Sequence, residues 1–333
     1  MYNRILIIRL SSLGDVVLTQ PVTAVLKKRF PKAEIHFITK KAYLPVVECF
    51  NCVDKVYIWE EYKSYSKLRK LAKQKFDLVI DLHNKFNTFL IKKVVHGKKT
   101  ITYNKQHRLR RKIIKQKTDK VIKSTVDLYF SALRKIGIES VFDNPILYPN
   151  EKLSNDFTGK IKSEKIKLAI FPGALHKTKQ YPVDLLLEVI NKLNDKYQIF
   201  LSGSKSEKDL AKKIVNKVNK SVYDLTGELT ISEMLTFLSI MDVIISNDSG
   251  PMHIAAALNK NQIAIFGATH PKLGFAPLNN KAIVLKADLH CQPCSLHGGS
   301  ICPKLHFNCM KMIEPEQIMH YLNKVILDRS SRN

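Results

Sequence analysis

The chain contains no apolar run approaching the roughly 18 residues that cross a bilayer, and no basic-plus-apolar leader opens it. A cytoplasmic location is expected, with attachment to a membrane surface left open. Acids are scarce: 29 Asp and Glu stand against 55 Lys and Arg, a formal net charge of +26. That excess exceeds what solubility requires and points to a polyanionic partner: nucleic acid, an anionic membrane surface or a phosphorylated substrate. No helix-turn-helix, RRM or KH signature is present, and the basic residues have little aromatic interleaving, so nucleic acid is disfavoured. The Gly-x-Gly-x-x-Gly fingerprint is absent too, which argues against a dinucleotide cofactor.

What is present is alternation. At 333 residues and 45% apolar composition the chain can bury two cores. The first half alternates β-rich runs (RILIIRL, AEIHFIT, DKVYIW, DLVIDL) with amphipathic stretches, the pattern of βαβ units around a parallel sheet. A basic region from Lys85 to Lys123 follows, with 14 Lys or Arg against the single acid Asp119, and then a helix that stops at Gly137. Periodicity fades over Pro145 to Lys165, the expected linker. It restarts with strands KLAIF, YQIFLSG, DVIIS and QIAIFG, separated by helices near Val183 to Asn194, Glu207 to Val218 and Ile231 to Ile240. The expected fold class is α/β, with doubly wound Rossmann-like domains over 1–155 and 165–312 facing each other across a cleft. A last helix over 314–328 is expected to pack back on the first domain.

Four stretches carry chemistry. In Arg9-Leu10-Ser11-Ser12-Leu13-Gly14-Asp15 an acid stands where a strand gives way to a helix, as a cap or as a general base. Gly14 would let the backbone turn close to a ligand, and Ser11 and Ser12 would satisfy amides there. In SNDSGPMHIAAAL, a strand end meets a helix start at Asp248, Ser249 and Gly250, with His253 one turn in. Such a terminus presents unpaired amides and positive dipole to a phosphate. In FPGALHKTKQYP, a turn after a strand brings Thr178 and Lys179 to a strand's carboxyl end, where open α/β sheets bind ligands. In GSKSE, Glu207 could accept hydrogen bonds from a ribose, and Ser204 three residues before it also reads as a capping box.

Together these stretches resemble the ADP-heptose lipopolysaccharide heptosyltransferases of glycosyltransferase family 9, and the resemblance runs nearly end to end. It implies the GT-B fold, an acceptor-binding first domain and a nucleotide-sugar-binding second domain. The implied reaction inverts the anomeric carbon in one displacement, needs no cofactor, and moves a heptose from an ADP-heptose donor to the anionic, lipid-linked inner core of lipopolysaccharide. Asp15 matches the family's general base and Lys179 the lysine that holds the diphosphate. Asp248 matches the residue that contacts the donor sugar, with Thr178, Glu207, Ser249, Gly250 and His253 completing the donor site. The family often has Lys-Arg-Trp-Pro where this chain has Lys179-Gln180-Tyr181-Pro182, so the arginine's contacts have no counterpart at Gln180. With an acceptor at the inner face of the cytoplasmic membrane, the basic region acquires a purpose. Lys98, Lys99, Arg108, Arg110 and Arg111 are expected to meet the acceptor or the anionic membrane surface. Other GT-B sugar donors, a nucleotide-sugar epimerase and a nucleic-acid-binding protein are the competing readings.

Cys291, Cys294, Cys302 and Cys309 have the spacing C-x2-C-x7-C-x6-C, which fits either a structural tetrahedral Zn2+ or reduced thiols.

Overall fold

In the computed structural model, residues 2–139, 144–149, 159, 161, 162 and 164–330 are described. The chain divides into two compact units, Met1–His107 with Lys123–Pro149, and Arg108–Ile122 with Asn150–Asn333.

In the first unit β1 (Arg4–Ile8) leads through α1 (Leu13–Val17) and α2 (Gln20–Arg29) to β2 (Glu34–Thr39). Then come α3 (Leu44–Glu48), β3 (Lys55–Ile58), α4 (Tyr65–Ala72), β4 (Leu78–Asp81), α5 (Phe86–Val94) and β5 (Lys99–Thr102). The five strands are parallel in the order β3-β2-β1-β4-β5. β1 reads as an unbroken apolar run because it lies at the centre with both faces covered, and four of its five residues are buried. Winding reverses between β1 and β4, and the space beyond their carboxyl ends is where open sheets of this kind bind ligands.

The segment that follows does not behave as one basic stretch of the first domain. α6 (His107–Ile114) groups with the second unit, whereas α7 (Thr125–Arg134) returns to the first. The cause is packing: Ile113 is fully buried, the Arg110 guanidinium lies 5.0 Å over the Phe275 ring, and the Ile122 amide donates to the Lys272 carbonyl at 2.9 Å. Most of the linker expected over 145–165 lies outside the described residues.

The second unit runs β6 (Ile166–Phe171), α8 (Val183–Lys192), β7 (Tyr197–Leu201), α9 (Lys208–Val215), β8 (Val222–Asp224) and α10 (Ile231–Ile240). It continues with β9 (Val243–Asn247), α11 (Gly250–Ala257), β10 (Asn261–Phe266), β11 (Ala282–Lys286), α12 (Asn308–Lys311) and α13 (Pro315–Ser330). Its six parallel strands lie in the order β11-β10-β9-β6-β7-β8, so winding reverses between β6 and β9. α13 differs from expectation: its Ile318 and Leu322 are fully buried in this unit's own core with Val189 and Ile190 of α8. The Tyr181 and Tyr197 hydroxyls fix the approach by donating to the Ile313 and Leu322 carbonyls at 2.6 and 3.2 Å.

Candidate functional site

In the first unit, Ser12 is the N-cap of α1, and its amide and hydroxyl donate to Asp15 Oδ2 at 3.3 and 2.9 Å. Asp15 is thus a reciprocal cap, but its carboxylate also serves a larger set. Arg9 Nη2 reaches the same oxygen at 2.6 Å, and Arg9 Nη1 donates to the Leu82 carbonyl at 2.5 Å, bridging the ends of β1 and β4. The Tyr129 hydroxyl donates to Asp15 Oδ1 at 3.3 Å, and its ring lies 5.5 Å from the guanidinium.

The electrostatics follow from burial. Burial opposes the Arg9 charge, but Asp15, Tyr129 and Tyr103 hold the guanidinium above its ordinary value, so it stays a cation. Burial also raises the Tyr129 phenol, and Asp15 adds to this, so the phenol keeps its proton and donates. Around them Lys105 is brought down to about 8 by burial and by Arg9 and Lys85, while its ammonium donates to the Asn84 carbonyl at 2.8 Å. His83 is brought down to about 4 by burial and then by Arg9, and so is neutral. The result is a carboxylate with about a quarter of its side chain exposed, oriented from three sides beside a cationic wall. That arrangement suits proton abstraction next to an anionic ligand.

Gly14, expected to let the backbone turn close to a ligand, lies in the first turn of α1. It is buried inside α1, and the glycines with left-handed backbone are Gly137, Gly227, Gly274 and Gly298.

In the second unit the crevice between β6 and β9 holds the other group. Lys179 Nζ meets Asp248 Oδ2 at 2.8 Å with the two side chains 15% and 7% exposed, and the Thr269 hydroxyl donates to the same oxygen at 2.6 Å. Asn247 at the end of β9 ties the strands together: its amide donates to the Pro172 and Gly173 carbonyls at 2.8 and 3.1 Å, and its oxygen accepts from the Tyr181 amide at 3.0 Å. Ser249 is the N-cap of α11 and Pro251 lies in the first turn, so the helix opens its amides beside the Lys179–Asp248 pair. The Ser249 hydroxyl donates back to the Asn247 carbonyl at 3.2 Å.

Glu207 accepts from the Ser204 amide and hydroxyl at 2.6 and 2.8 Å, so the capping box forms. Its carboxylate also lies against Gly173, where an added Cβ would stand 1.7 Å from Oε1, so a side chain there would displace the Glu207 carboxylate. The capping carboxylate therefore reaches the residue two positions past the end of β6. Thr178 is spoken for: its hydroxyl donates to the Gly299 carbonyl at 3.0 Å and accepts from the Gly299 amide at 2.8 Å. His253 is buried inside α11 at 6% exposure.

The basic residues expected to meet the acceptor divide between the two units. Lys98 pairs with Asp77 at 2.8 Å, and this contact with the Asn3 and Arg4 amides holds the carboxyl at about 2. Lys99 begins β5 and donates to the Lys135 carbonyl at 3.3 Å. Arg110 is buried and belongs to the second unit, leaving Arg108 and Arg111 as exposed cations of α6.

Cys291, Cys294, Cys302 and Cys309 are free thiols that line one small cavity with His306, whose Nε2 is 3.8 Å from Cys291 Sγ. Among the described residues no set of three or more His, Cys, Asp or Glu is disposed to hold a metal ion, so of the two readings of this spacing the tetrahedral zinc set is not assembled. The stretch has another task. Gln292 donates to the Gly267 and Thr269 carbonyls at 2.6 and 3.0 Å, and Gly298, with φ +92°, lets the loop pass against the stem of Lys179. The loop buttresses the Lys179–Asp248 pair from behind.

Sequence reasoning missed Arg9, Tyr129 and Lys105 in the first unit and Asn247 and Thr269 in the second. Arg9 alone had a local signal, a cation directly after a fully apolar strand.

A family model described as glycosyltransferase family 9 (heptosyltransferase) matches residues 65–304. Lipooligosaccharide heptosyltransferase 2 of Campylobacter jejuni (serotype O:6, strain 81116) is 25% identical, covering 94% of this chain and 96% of that protein. Among solved structures, a glycosyl transferase family 9 protein from Veillonella parvula superposes with a TM-score of 0.80 at 18% identity, covering 98% of both chains. The ADP-heptose lipopolysaccharide heptosyltransferase II of Escherichia coli does so with 0.78 at 22% identity, covering 98% of this chain and 99% of that one.

Proposed function

The chain belongs to glycosyltransferase family 9, with two doubly wound sheets of the GT-B type, and on that premise we propose that it is an inverting heptosyltransferase of the lipopolysaccharide core that uses ADP-L-glycero-D-manno-heptose. An acceptor hydroxyl attacks the anomeric carbon of the donor, the bond to the diphosphate breaks, and ADP leaves. The hydroxyl proton passes to the Asp15 carboxylate. Arg9, Ser12 and Tyr129 hold that carboxylate in a fixed direction. Lys179 and the first amides of α11 take up the charge that grows on the leaving diphosphate. Asp248, once Lys179 turns to phosphate, is the acceptor for donor-sugar hydroxyls, and Glu207 faces the ribose. The acceptor is the phosphorylated inner core carried on lipid at the cytoplasmic leaflet, whose anions suit the cationic wall of Lys105 and Arg9. No helix among the described residues is long and apolar enough to cross a membrane, and the reading requires none.

The observation that carries this reading is the buried Arg9 guanidinium 2.6 Å from a partly exposed Asp15 at the sheet's switch point. A cap alone has no use for it. Two measurements test the proposal. Calorimetry with ADP, UDP and GDP sugars should show preference for ADP, and preference for UDP refutes the donor. Asp15→Asn should lower kcat by about 10³-fold, the middle of the range for a lost general base, with ADP-sugar affinity within a few fold of the parent. Retained turnover refutes the base.

A further inference from the structure

Helix α5 buries Thr88 and Ile91, and its start is closed by the Thr88 hydroxyl, which accepts from the Lys85 amide at 3.0 Å. Its other face is turned outward: Phe86, Phe89 and Leu90 are 77%, 57% and 41% exposed. Positions i, i+3 and i+4 lie on one side of a helix, and Lys93 at i+7 continues the row. Single exposed apolar side chains are ordinary, but two phenylalanines and a leucine in one row form a patch that calls for a cover. Its rim is cationic. Lys85 and Lys93 are exposed at its two ends, and no Asp or Glu occurs between Lys85 and Thr118. A second copy would bring lysines against lysines, whereas an apolar layer bordered by negative charge complements both parts of the face.

We propose that this face of α5 docks on an anionic lipid bilayer, with Phe86, Phe89 and Leu90 entering the boundary between headgroups and acyl chains and Lys85 and Lys93 meeting the lipid phosphates. The inference deepens the acceptor reading above and rests on it for the presence of a membrane-borne substrate. It also moves the contact away from Lys98 and Arg110, whose charges are engaged within the protein.

The test is co-sedimentation of the full chain with vesicles of phosphatidylcholine, with and without phosphatidylglycerol, comparing the parent with the triple variant Phe86→Ser, Phe89→Ser, Leu90→Ser. The parent should bind the vesicles that contain phosphatidylglycerol, less so as salt is raised, and the variant should bind about tenfold more weakly, because each exposed apolar side chain lost removes partition energy. ADP affinity should be unchanged and the melting temperature should move little, since all three side chains are exposed on the outward face of the helix. Parent-like binding by the variant, no vesicle binding by the parent, or a variant altered only in self-association overturns the proposal. A chain that binds vesicles through α5 but prefers UDP overturns the donor reading alone.

Discussion

The Lys179–Asp248 pair admits a sharp experiment, because two roles for the lysine predict different outcomes. Lys179→Met leaves Asp248, 7% exposed, with the Thr269 hydroxyl but without its cation. Breaking a buried pair on one side costs about 3–5 kcal/mol; with one hydrogen bond retained, the lower end applies, about 3 kcal/mol. For a unit of this size ~1 kcal/mol moves Tm by about 2–4 °C, so the melting transition should fall by about 6–12 °C. Adding Asp248→Asn removes the stranded charge, and the double variant should recover most of that loss. ADP affinity should behave differently. A charge-assisted contact to phosphate is worth about 1.5–3 kcal/mol, so Lys179→Met should weaken ADP binding roughly 10- to 150-fold, and the double variant should stay equally weak. Thermal scans and calorimetry on the parent, the two single variants and the double variant complete the cycle. Recovery of ADP affinity together with stability in the double variant would refute the phosphate role and leave Lys179 as the partner of Asp248 only.

Two further outcomes follow from buried titratable groups. Burial holds His83 at about 4 against an ordinary 6.5, and His270 likewise, with Lys272 reinforcing it. Between those values the unfolded chain binds protons that the folded chain does not, so stability is full above about pH 6.5, falls as pH drops toward 4, and levels off below; His83 alone contributes about 3 kcal/mol. Urea midpoints at intervals between pH 7 and pH 4 read this, and a flat profile would show that these histidines are not buried neutral. Asp77, held at about 2, acts only in a lower window and does not confuse the result. Among the cysteines, burial pushes Cys309 up to about 12, with the neighbouring cysteines adding, and Cys49 up to about 11. Alkylation of the native chain at mild alkaline pH, read by peptide mass mapping, should modify Cys291 and Cys302 well before those two. Equal rates at Cys302 and Cys309 would contradict the packing of α12.

How legible the site was depended on how local its parts are. Asp15 was readable because strand, loop and helix are consecutive, and the loop's three polar residues stand out after an apolar strand. Asp248 was readable as the residue just past a strand end and Lys179 as a cation in the loop that follows β6, but their pairing was not. It arises because β6 and β9 are sheet neighbours although β7 and β8 come between them in the chain. Tyr129 was hidden for the same reason: it lies on α7 among apolar residues and meets Asp15 across a separation of 114 positions in the chain. Strands β5, β8 and β11 escaped notice because each is a sheet edge with one side open, which breaks the apolar run that marks β1.

The basic region is the instructive failure. Fourteen cations in one stretch suggested a single electrostatic surface, but charge counted along the chain carries no information about direction. Folding commits Lys92 to Asp81 at 2.9 Å, Lys98 to Asp77 and Arg110 to Phe275, and assigns the stretch to two different units. With Lys92 and Arg110 drawn inward and Lys98 paired at the surface, the outward face of α5 is defined by its apolar residues instead. The feature that distinguishes this segment from a merely solvated lysine-rich surface is therefore the periodicity of Phe86, Phe89 and Leu90, which charge counting overlooks. A polybasic segment without such a row would bind an anionic surface through charge alone and release it entirely as salt rises. With the row, part of the binding should persist in high salt.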